Sequence, residues 1–238
     1  MRTAYTVFRN LYNVRKMTMK LVLASGSQRR RELLTMCGYD YEIIVSNADE
    51  TIDENDPESF VRALSFRKAK EVFDRLFAAG RRDFAVIGSD TVVALQKEGE
   101  TKPVIIGKPK DAEDAVRILS MLSGKTHRVF TGVSVIADIP DENAAAQCSI
   151  REKEEIQTEC SITEVTFETL SPDEITDYVN SGDPLDKAGS YGIQGPFGMF
   201  VREIRGNYFT VIGMPIPVLY KMLKKIGILP HGFYERIE

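Results

Sequence analysis

Soft and nitrogenous metal ligands are scarce in this chain. Its 238 residues include 2 histidines and 3 cysteines. His127 and His231 stand far apart, and Cys37, Cys148 and Cys160 show no CxxC or Cys/His ligand spacing. An odd cysteine count without such spacing argues against a disulfide framework and a structural zinc site, and fits a reducing cytoplasm. A bound metal would take oxygen ligands, which suits Mg or Mn. Apolar runs are short, and none approaches the roughly 18 residues a membrane helix requires. No GxxxxGK[ST] loop and no helix-opening GxGxxG is present, which removes the standard NTPase and dinucleotide readings. No Ser-His-Asp or Cys-His arrangement can be argued. Basic excess is missing as well. Lys+Arg total 31 against 35 Asp+Glu, a net charge of -4, which disfavours sequence-independent nucleic-acid binding.

What is present suits a folded protein. Hydrophobic residues make up 43% and charged residues 28%, which excludes wholesale disorder. A chain of this length buries about 70% of its unfolded surface without disulfide or metal staples. Residues 1–19 carry Arg2, Arg9, Arg15 and Lys16 and no acid. Organelle presequences share that bias, but the signal is weak. We read a short basic extension ahead of one domain spanning 20–238.

From Lys20 onward strand and helix signals alternate, which reads as a mixed α/β or α+β fold. Leu21–Ala24 and Tyr41–Val45 read as strands around a helix over 28–37 that Gly38 stops. Asp56-Pro57 opens a helix running to Gly80. Phe84–Gly88 reads as a strand ending at Ser89-Asp90-Thr91, with Val92–Leu95 beyond. Gln96–Lys108 reads as a hairpin loop, and Asp111 caps a helix ended by Gly124. Val129–Ala137 and Ile162–Leu170 read as strands flanking a solvent-exposed excursion over 138–160. Ser171-Pro172-Asp173-Glu174 is a capping box opening a helix that ends near Gly182. Residues 183–198 hold too many glycines and prolines for a regular element. Phe200–Ile204 and Tyr208–Ile212 read as a hairpin about Arg205-Gly206-Asn207, and Pro215 begins a last amphipathic helix.

Four segments place polar residues and glycine where a strand ends, the usual position of α/β active sites. Ser25-Gly26-Ser27-Gln28-Arg29-Arg30-Arg31 puts three arginines in a helix's first turn, against the helix dipole, a cost that a bound polyphosphate offsets. In Gly88-Ser89-Asp90-Thr91 the acid suits a general base or a cation ligand. Lys108, in Gly107-Lys108-Pro109, suits a point-charge phosphate contact. The run Asp183–Gly195 is rich in glycine, and Gln194 offers both donor and acceptor to a base edge.

Together and in this order these motifs resemble the Maf family of nucleoside triphosphate pyrophosphatases. The resemblance rests on Ser25–Arg30, Gly88–Thr91, Lys108-Pro109, Leu122-Ser123-Gly124-Lys125-Thr126-His127 and Asp186–Gly195, and covers about 20–226. Gln28 stands where the family commonly has proline. The resemblance implies an elongated, two-lobed mixed sheet with a central cleft, like the inosine-triphosphatase group. It implies metal-assisted attack of water on the α-phosphate, releasing a nucleoside monophosphate and pyrophosphate. The form Lys187–Gly195 resembles the dTTP/UTP subgroup. The rival readings are the same reaction on a modified nucleotide such as 7-methyl-GTP, or a nucleotide-binding cell-division regulator without turnover. Asp90 is similar to the family's catalytic base. Arg29, Lys68 and Lys108 match phosphate contacts, with Arg30 beside them, and Ser27 and Thr91 are neighbours in the same motifs. Glu50 matches an acid that holds metal or water with Asp90, and Gln194 matches the glutamine that faces the pyrimidine. The expected partner is a nucleoside triphosphate, without nucleic acid or membrane. The expected location is cytoplasmic, the expected cofactor Mg or Mn, and a homodimer is implied by the resemblance alone.

Overall fold

A computed structural model describes residues 19–139 and 153–231. The basic extension up to residue 18, the stretch 140–152 with Cys148, and residues 232–238 lie outside the described residues. The strands are β1 (Lys20–Leu23), β2 (Tyr41–Ile43), β3 (Phe84–Leu95), β4 (Val104–Ile106), β5 (Thr126–Ile139), β6 (Lys153–Phe167) and β7 (Val201–Arg205). They form one mixed sheet in the order β2-β1-β3-β5-β6-β7, with β4 also on β3. β1 runs parallel to β2 and β3, and the other pairings are antiparallel. The described helices are α1 (Gln28–Met36), α2 (Pro57–Ala78), α3 (Ala112–Leu122), α4 (Pro172–Asn180), α5 (Tyr208–Ile212) and α6 (Ile216–Lys225). The expected mixed α/β architecture holds.

Local chemistry sets the helix starts. Asp56 accepts from the Ser59 amide ahead of Pro57, and Asp111 accepts from the Asp114 amide. Ser171 and Glu174 form the reciprocal capping box; each such cap contributes about 1 kcal/mol. Period-two alternation along β3 then sorts its side chains between two faces. Even positions Phe84, Val86, Val92 and Ala94 pack toward α2, with Val61, Ala69, Val72 and Phe73. Odd positions pack on the opposite face in two separate clusters. Ala85 and Ile87 meet Leu33 and Leu34 of α1 and Leu219 and Leu223 of α6. Val93 and Leu95 meet Ile118 and Leu122 of α3 and Ile175 and Tyr178 of α4. Ser89 and Thr91 fall between these clusters.

Two strand glycines set the depth of α2. A Cβ on Gly88 would lie 2.1 Å from the Ser65 carbonyl oxygen and 2.7 Å from the Ala69 amide. One on Gly132 would lie 2.1 Å from the Val61 carbonyl oxygen. The helix backbone therefore rests on the bare strand backbone of β3 and β5, closer than any side chain permits.

Several expectations need correction. The span Gln96–Lys108, read as a loop, contains β4, whose Val104–Ile106 pair with Val93–Leu95 of β3. Ser89-Asp90-Thr91 does not follow a strand. It lies inside β3, which is continuous because β5 pairs with it from Ala85 to Ala94. The excursion expected over 138–160 is partly strand: β6 begins at Lys153 and pairs with Ile139. Its acidic content reflects a strand with one face in water, Glu154, Ile156, Ile162 and Glu164 being exposed. At the other end β6 stops at Phe167, short of Leu170. Finally, Tyr208–Ile212 is helix α5, not a hairpin arm. Gly206, at φ +130°, ends β7, and Asn207 caps α5 by accepting from the Phe209 amide. The Arg-Gly-Asn signal marks a helix start rather than a two-residue turn.

Candidate active site

The site arises from an interruption in strand pairing. Along one edge β3 pairs with β1 over Phe84–Ile87 and with β4 over Val93–Leu95. Between them, no strand among the described residues covers Gly88–Val92 on that edge. A cleft of about 440 Å³ opens at this notch. Neighbouring residues of β3 point to opposite faces, yet at an uncovered edge both reach the opening. Asp90 comes from the α2 side and Thr91 from the other, and both line the cleft.

On the α2 side, Lys68 extends its ammonium to Asp90 at 2.7 Å and to Glu50 at 2.9 Å. The Lys68 and Asp90 side chains are 12% and 13% exposed, whereas Glu50 is 66% exposed. Asp90 and Lys68 are thus a largely desolvated pair, and removing one charge leaves the other costly to bury. Asp90 and Glu50 are two hard oxygen donors already bracketing one cation, the Lys68 ammonium. No group of three or more metal-ligating side chains occurs among the described residues. The donor set therefore fits a Mg-like ion held by one or two carboxylates and completed by water and substrate oxygens, not an all-protein cage.

Across the notch, α1 points its N-terminus into the cleft. No side chain caps it and no acid lies in its first turn, so its end is open to anions. Ser27, at the N-cap, donates its amide to the Ser25 hydroxyl at 3.2 Å. Each nitrogen of the Arg30 guanidinium has a partner: Nε donates to the Gly213 carbonyl (2.8 Å), Nη1 to Ser25 Oγ (3.1 Å) and Nη2 to Thr91 Oγ1 (3.3 Å). Burial lowers its pKa, an effect the charges of Asp90 and Glu50 oppose. Thr131 donates to the Thr210 carbonyl at 2.7 Å, so Thr91 donates to Thr131 at 3.0 Å. Thr91 then has only acceptor capacity left, and Arg30 uses it. Ser89 places its hydroxyl 2.9 Å from the carbonyl oxygens of both Gly132 and Gly213, which share its single proton. This network ties β3, β5, α1 and the turn after α5 together beneath the cleft.

The far wall comes from the turns after α4. Asp186 meets Arg29 at 3.2 Å and Lys187 at 2.7 Å. Burial pushes the Asp186 carboxyl up, but the Lys187 hydrogen bond and the nearby Arg29 charge outweigh it and hold the group below its ordinary range. Lys187 also bonds Asp183 through its carbonyl (2.6 Å) and carboxylate (3.0 Å). Tyr178 donates to the same carboxylate at 2.5 Å and accepts from the Gly192 amide at 3.1 Å. The Gly189 amide donates to the Gly107 carbonyl at 2.9 Å, joining this wall to the segment that carries Lys108. Lys108 and Gln194 are exposed at the cleft, and neither side chain has a hydrogen-bond partner among the described residues.

A family model described as Maf-like protein matches residues 20–226. The chain belongs to the Maf-like protein family. A relative from Agathobacter rectalis, named dTTP/UTP pyrophosphatase, is 41% identical over 88% of this chain and 98% of its own. Relatives from Bacillus thuringiensis subsp. konkukian and Bacillus anthracis bear the same name, each 42% identical over 88% of this chain and 96% of its own. The solved structure of the Staphylococcus aureus Ham1 protein is similar at 16% identity and a TM-score of 0.43, covering 87% of this chain and 99% of that one.

Four of the five Maf-like motifs, scattered over about 170 residues of sequence, meet at the notch, and Leu122–His127 does not. All nine residues singled out from sequence line one cleft: Ser27, Arg29, Arg30, Glu50, Lys68, Asp90, Thr91, Lys108 and Gln194. Arg30 and Thr91 are tied into the hydrogen-bond network beneath the cleft, Arg29, Glu50, Lys68 and Asp90 take part in ion pairs at its walls, and Lys108 and Gln194 have no side-chain partner among the described residues. Sequence reasoning did not single out Asp186 or Lys187, although both open the glycine-rich run that it marked. Nor did it find the Gly213 carbonyl, because a backbone acceptor leaves no residue-type signal. His127, at the end of its motif, is not in the cleft. It is 2% exposed, its imidazole pushed down to about 3 by burial, so it is neutral at ordinary pH. Cys160 is likewise pushed up to about 12 by burial and by nearby Glu58, which makes it a poor nucleophile. No helix of the described residues is long and apolar enough to cross a membrane.

Proposed function

We propose that this protein hydrolyses dTTP and UTP to the nucleoside monophosphate and pyrophosphate. One observation carries the reading: a rigid mid-strand carboxylate, Asp90, faces a cleft ringed by Arg29, Lys68 and Lys108, with an unengaged amide, Gln194, on the opposite wall. Relatives named for this activity match nearly the whole chain.

Phosphoanhydride hydrolysis needs charge neutralisation, an oriented water and an acceptor for its proton. The open N-terminus of α1, with Arg29 and Lys108, receives the polyphosphate. Arg30 braces that end from below through Thr91, Gly213 and Ser25, whose hydroxyl accepts from the Ser27 amide. Asp90 takes the proton of the attacking water as its oxygen bonds to the α-phosphorus. The bond from that phosphorus to the bridging oxygen breaks, and the electron pair leaves with pyrophosphate. Lys68 holds Asp90 and Glu50 in register through this step. Asp90 and Glu50 would hold a Mg or Mn ion, which when bound would supply further neutralisation of phosphate charge. Gln194 offers its donor and acceptor to the pyrimidine edge.

The reading includes a cytoplasmic setting, supported by the unpaired Cys37 and Cys160. It also includes the absence of a nucleic-acid partner, supported by the net charge, and a homodimer, supported by the resemblance and measurable by light scattering. Pyrophosphate release from dTTP, UTP, CTP, ATP, GTP and 7-methyl-GTP, with Mg or Mn and with chelator, tests the activity. Metal-dependent release from dTTP and UTP is expected. The Asp90→Asn variant should lose about 10²- to 10⁴-fold in kcat, the usual share of general-base catalysis, while its melting curve stays cooperative. Near-normal turnover in that variant would remove Asp90 from its role, and release confined to another nucleotide would overturn the pyrimidine assignment.

A further inference from the structure

Among the buried titratable side chains of the described residues that the proposed chemistry does not use is His127. His127 sits on β5, its backbone opposite Val165 of β6, so its position is fixed by the sheet. Its Nε2 lies 2.9 Å from the Tyr191 hydroxyl. Its ring is edge-on to Phe167 at 4.7 Å and to Tyr191 at 5.4 Å, and Tyr191 is edge-on to Phe167 at 4.8 Å. A buried imidazole with one polar partner, and its Nδ1 unpaired, is unfavourable as packing alone. A hydrocarbon ring would fill the same space without the desolvation cost.

The neighbouring backbone gives that contact a purpose. Gly189 and Ser190 both adopt left-handed φ, +72° and +60°. Ser190 is not glycine, is fully buried, and its hydroxyl has no partner. Such a pair persists only where surrounding contacts over-determine it. On its N-terminal side the pair is held by the Gly189 amide on the Gly107 carbonyl. On its C-terminal side the next residue is Tyr191, whose hydroxyl meets His127. Gln194 follows three residues later. The tether toward Lys108 is thus made by backbone, and the segment leading to Gln194 is held by two side chains, His127 on the Tyr191 hydroxyl and Tyr178, whose hydroxyl accepts from the Gly192 amide.

We propose that His127 is a positioning residue for base recognition: through the Tyr191 hydroxyl it fixes the backbone that presents Gln194 to the cleft. The inference rests on the reading of Gln194 as the group facing the pyrimidine.

The test uses the full chain and the variants Tyr191→Phe, His127→Phe and His127→Gln. The first two keep an aromatic ring and remove one polar partner each. Glutamine carries a nitrogen at about the reach of Nε2. Losing one hydrogen bond corresponds to roughly 3- to 10-fold in an equilibrium constant. Tyr191→Phe and His127→Phe are therefore expected to raise KM for dTTP by about that factor with kcat little changed, and His127→Gln to restore much of the loss. Inhibition by inorganic tripolyphosphate, which has no base, should be unaffected. Backbone amides over 190–195 should exchange faster with deuterium in the two phenylalanine variants, while those of α1 and α3 keep their wild-type rates. A KM unchanged in both phenylalanine variants would overturn the proposal, as would tripolyphosphate inhibition weakening in step with KM. If the wild-type protein turns over neither dTTP nor UTP, the proposed function fails. The exchange comparison then decides the role of His127 alone, and unchanged protection over 190–195 rejects it.

Discussion

The contact between α2 and the bare backbone of β3 links fold to chemistry, and Gly88→Ala probes it directly. The new methyl carbon would start 2.1 Å from the Ser65 carbonyl oxygen, 2.7 Å from the Ala69 amide nitrogen and 2.9 Å from the Ala69 Cβ. The first two are main-chain atoms of a continuous helix and cannot rotate aside. One turn of α2 must lift by about 1.3 Å before the carbonyl contact becomes ordinary. Lys68 lies in that turn, and its ammonium bridges Asp90 and Glu50 at 2.7 and 2.9 Å. Overpacking of this kind costs about 1–3 kcal/mol. For a chain of this size that lowers Tm by roughly 2–12 °C. Misplacement by about 1 Å at a reacting centre can cost 10²-fold in rate, so kcat should fall by about 10- to 100-fold, the lower end applying where the Lys68 stem absorbs part of the shift. Differential scanning calorimetry and single-substrate kinetics on dTTP measure the two effects. Gly107→Ala, where a Cβ meets nothing within 4 Å, serves as the Tm control. Wild-type Tm and wild-type kcat in Gly88→Ala would refute the argument that the close seat of α2 sets the Lys68–Asp90 geometry.

Two further outcomes follow from groups around the site. His127 is held neutral down to about pH 3 by burial, against a usual value of 6.5. The unfolded chain therefore binds the extra proton from about pH 6.5 downward while the native state does not, so stability falls with falling pH across that window. Between pH 7 and pH 5 the loss from this group is about 2 kcal/mol, at 1.36 kcal/mol per pKa unit. Urea melts at both pH values should show that loss in the wild type relative to His127→Phe, and parallel behaviour of the two proteins would show that the imidazole is not held neutral. Asp186, 67% exposed, occupies Arg29 at 3.2 Å across the cleft. Such exposed pairs are worth about 0.2–1 kcal/mol, so Asp186→Asn should leave Tm nearly unchanged and strengthen pyrophosphate inhibition by up to about 5-fold. Weaker inhibition would show instead that the carboxylate orients Arg29 for phosphate.

The sequence by itself determined most helix boundaries and the roster of the site. Capping signals at Asp56, Asp111 and Ser171 are local hydrogen-bond chemistry, written in three or four neighbouring residues, and all three helices start where those signals stand. The order of the motifs likewise named nine residues that line one cleft. Tertiary structure decided the rest. Gly88-Ser89-Asp90-Thr91 resembles a strand end because glycine and acid disfavour strands. It is strand because β5 supplies a partner on one side and α2 requires the glycine on the other. Tyr208–Ile212 has strand-forming residues, yet Asn207 caps it as a helix and burial of Thr210 and Ile212 keeps it so. The notch itself was not legible, because it depends on where β1 ends and β4 begins along the edge of β3, a register between segments some 80 residues apart in the chain. Nor were the commitments within the site legible. Residue type shows that Arg30 carries a guanidinium; only the placement of Ser25, Thr91 and the Gly213 carbonyl around it makes that group a brace beneath the cleft.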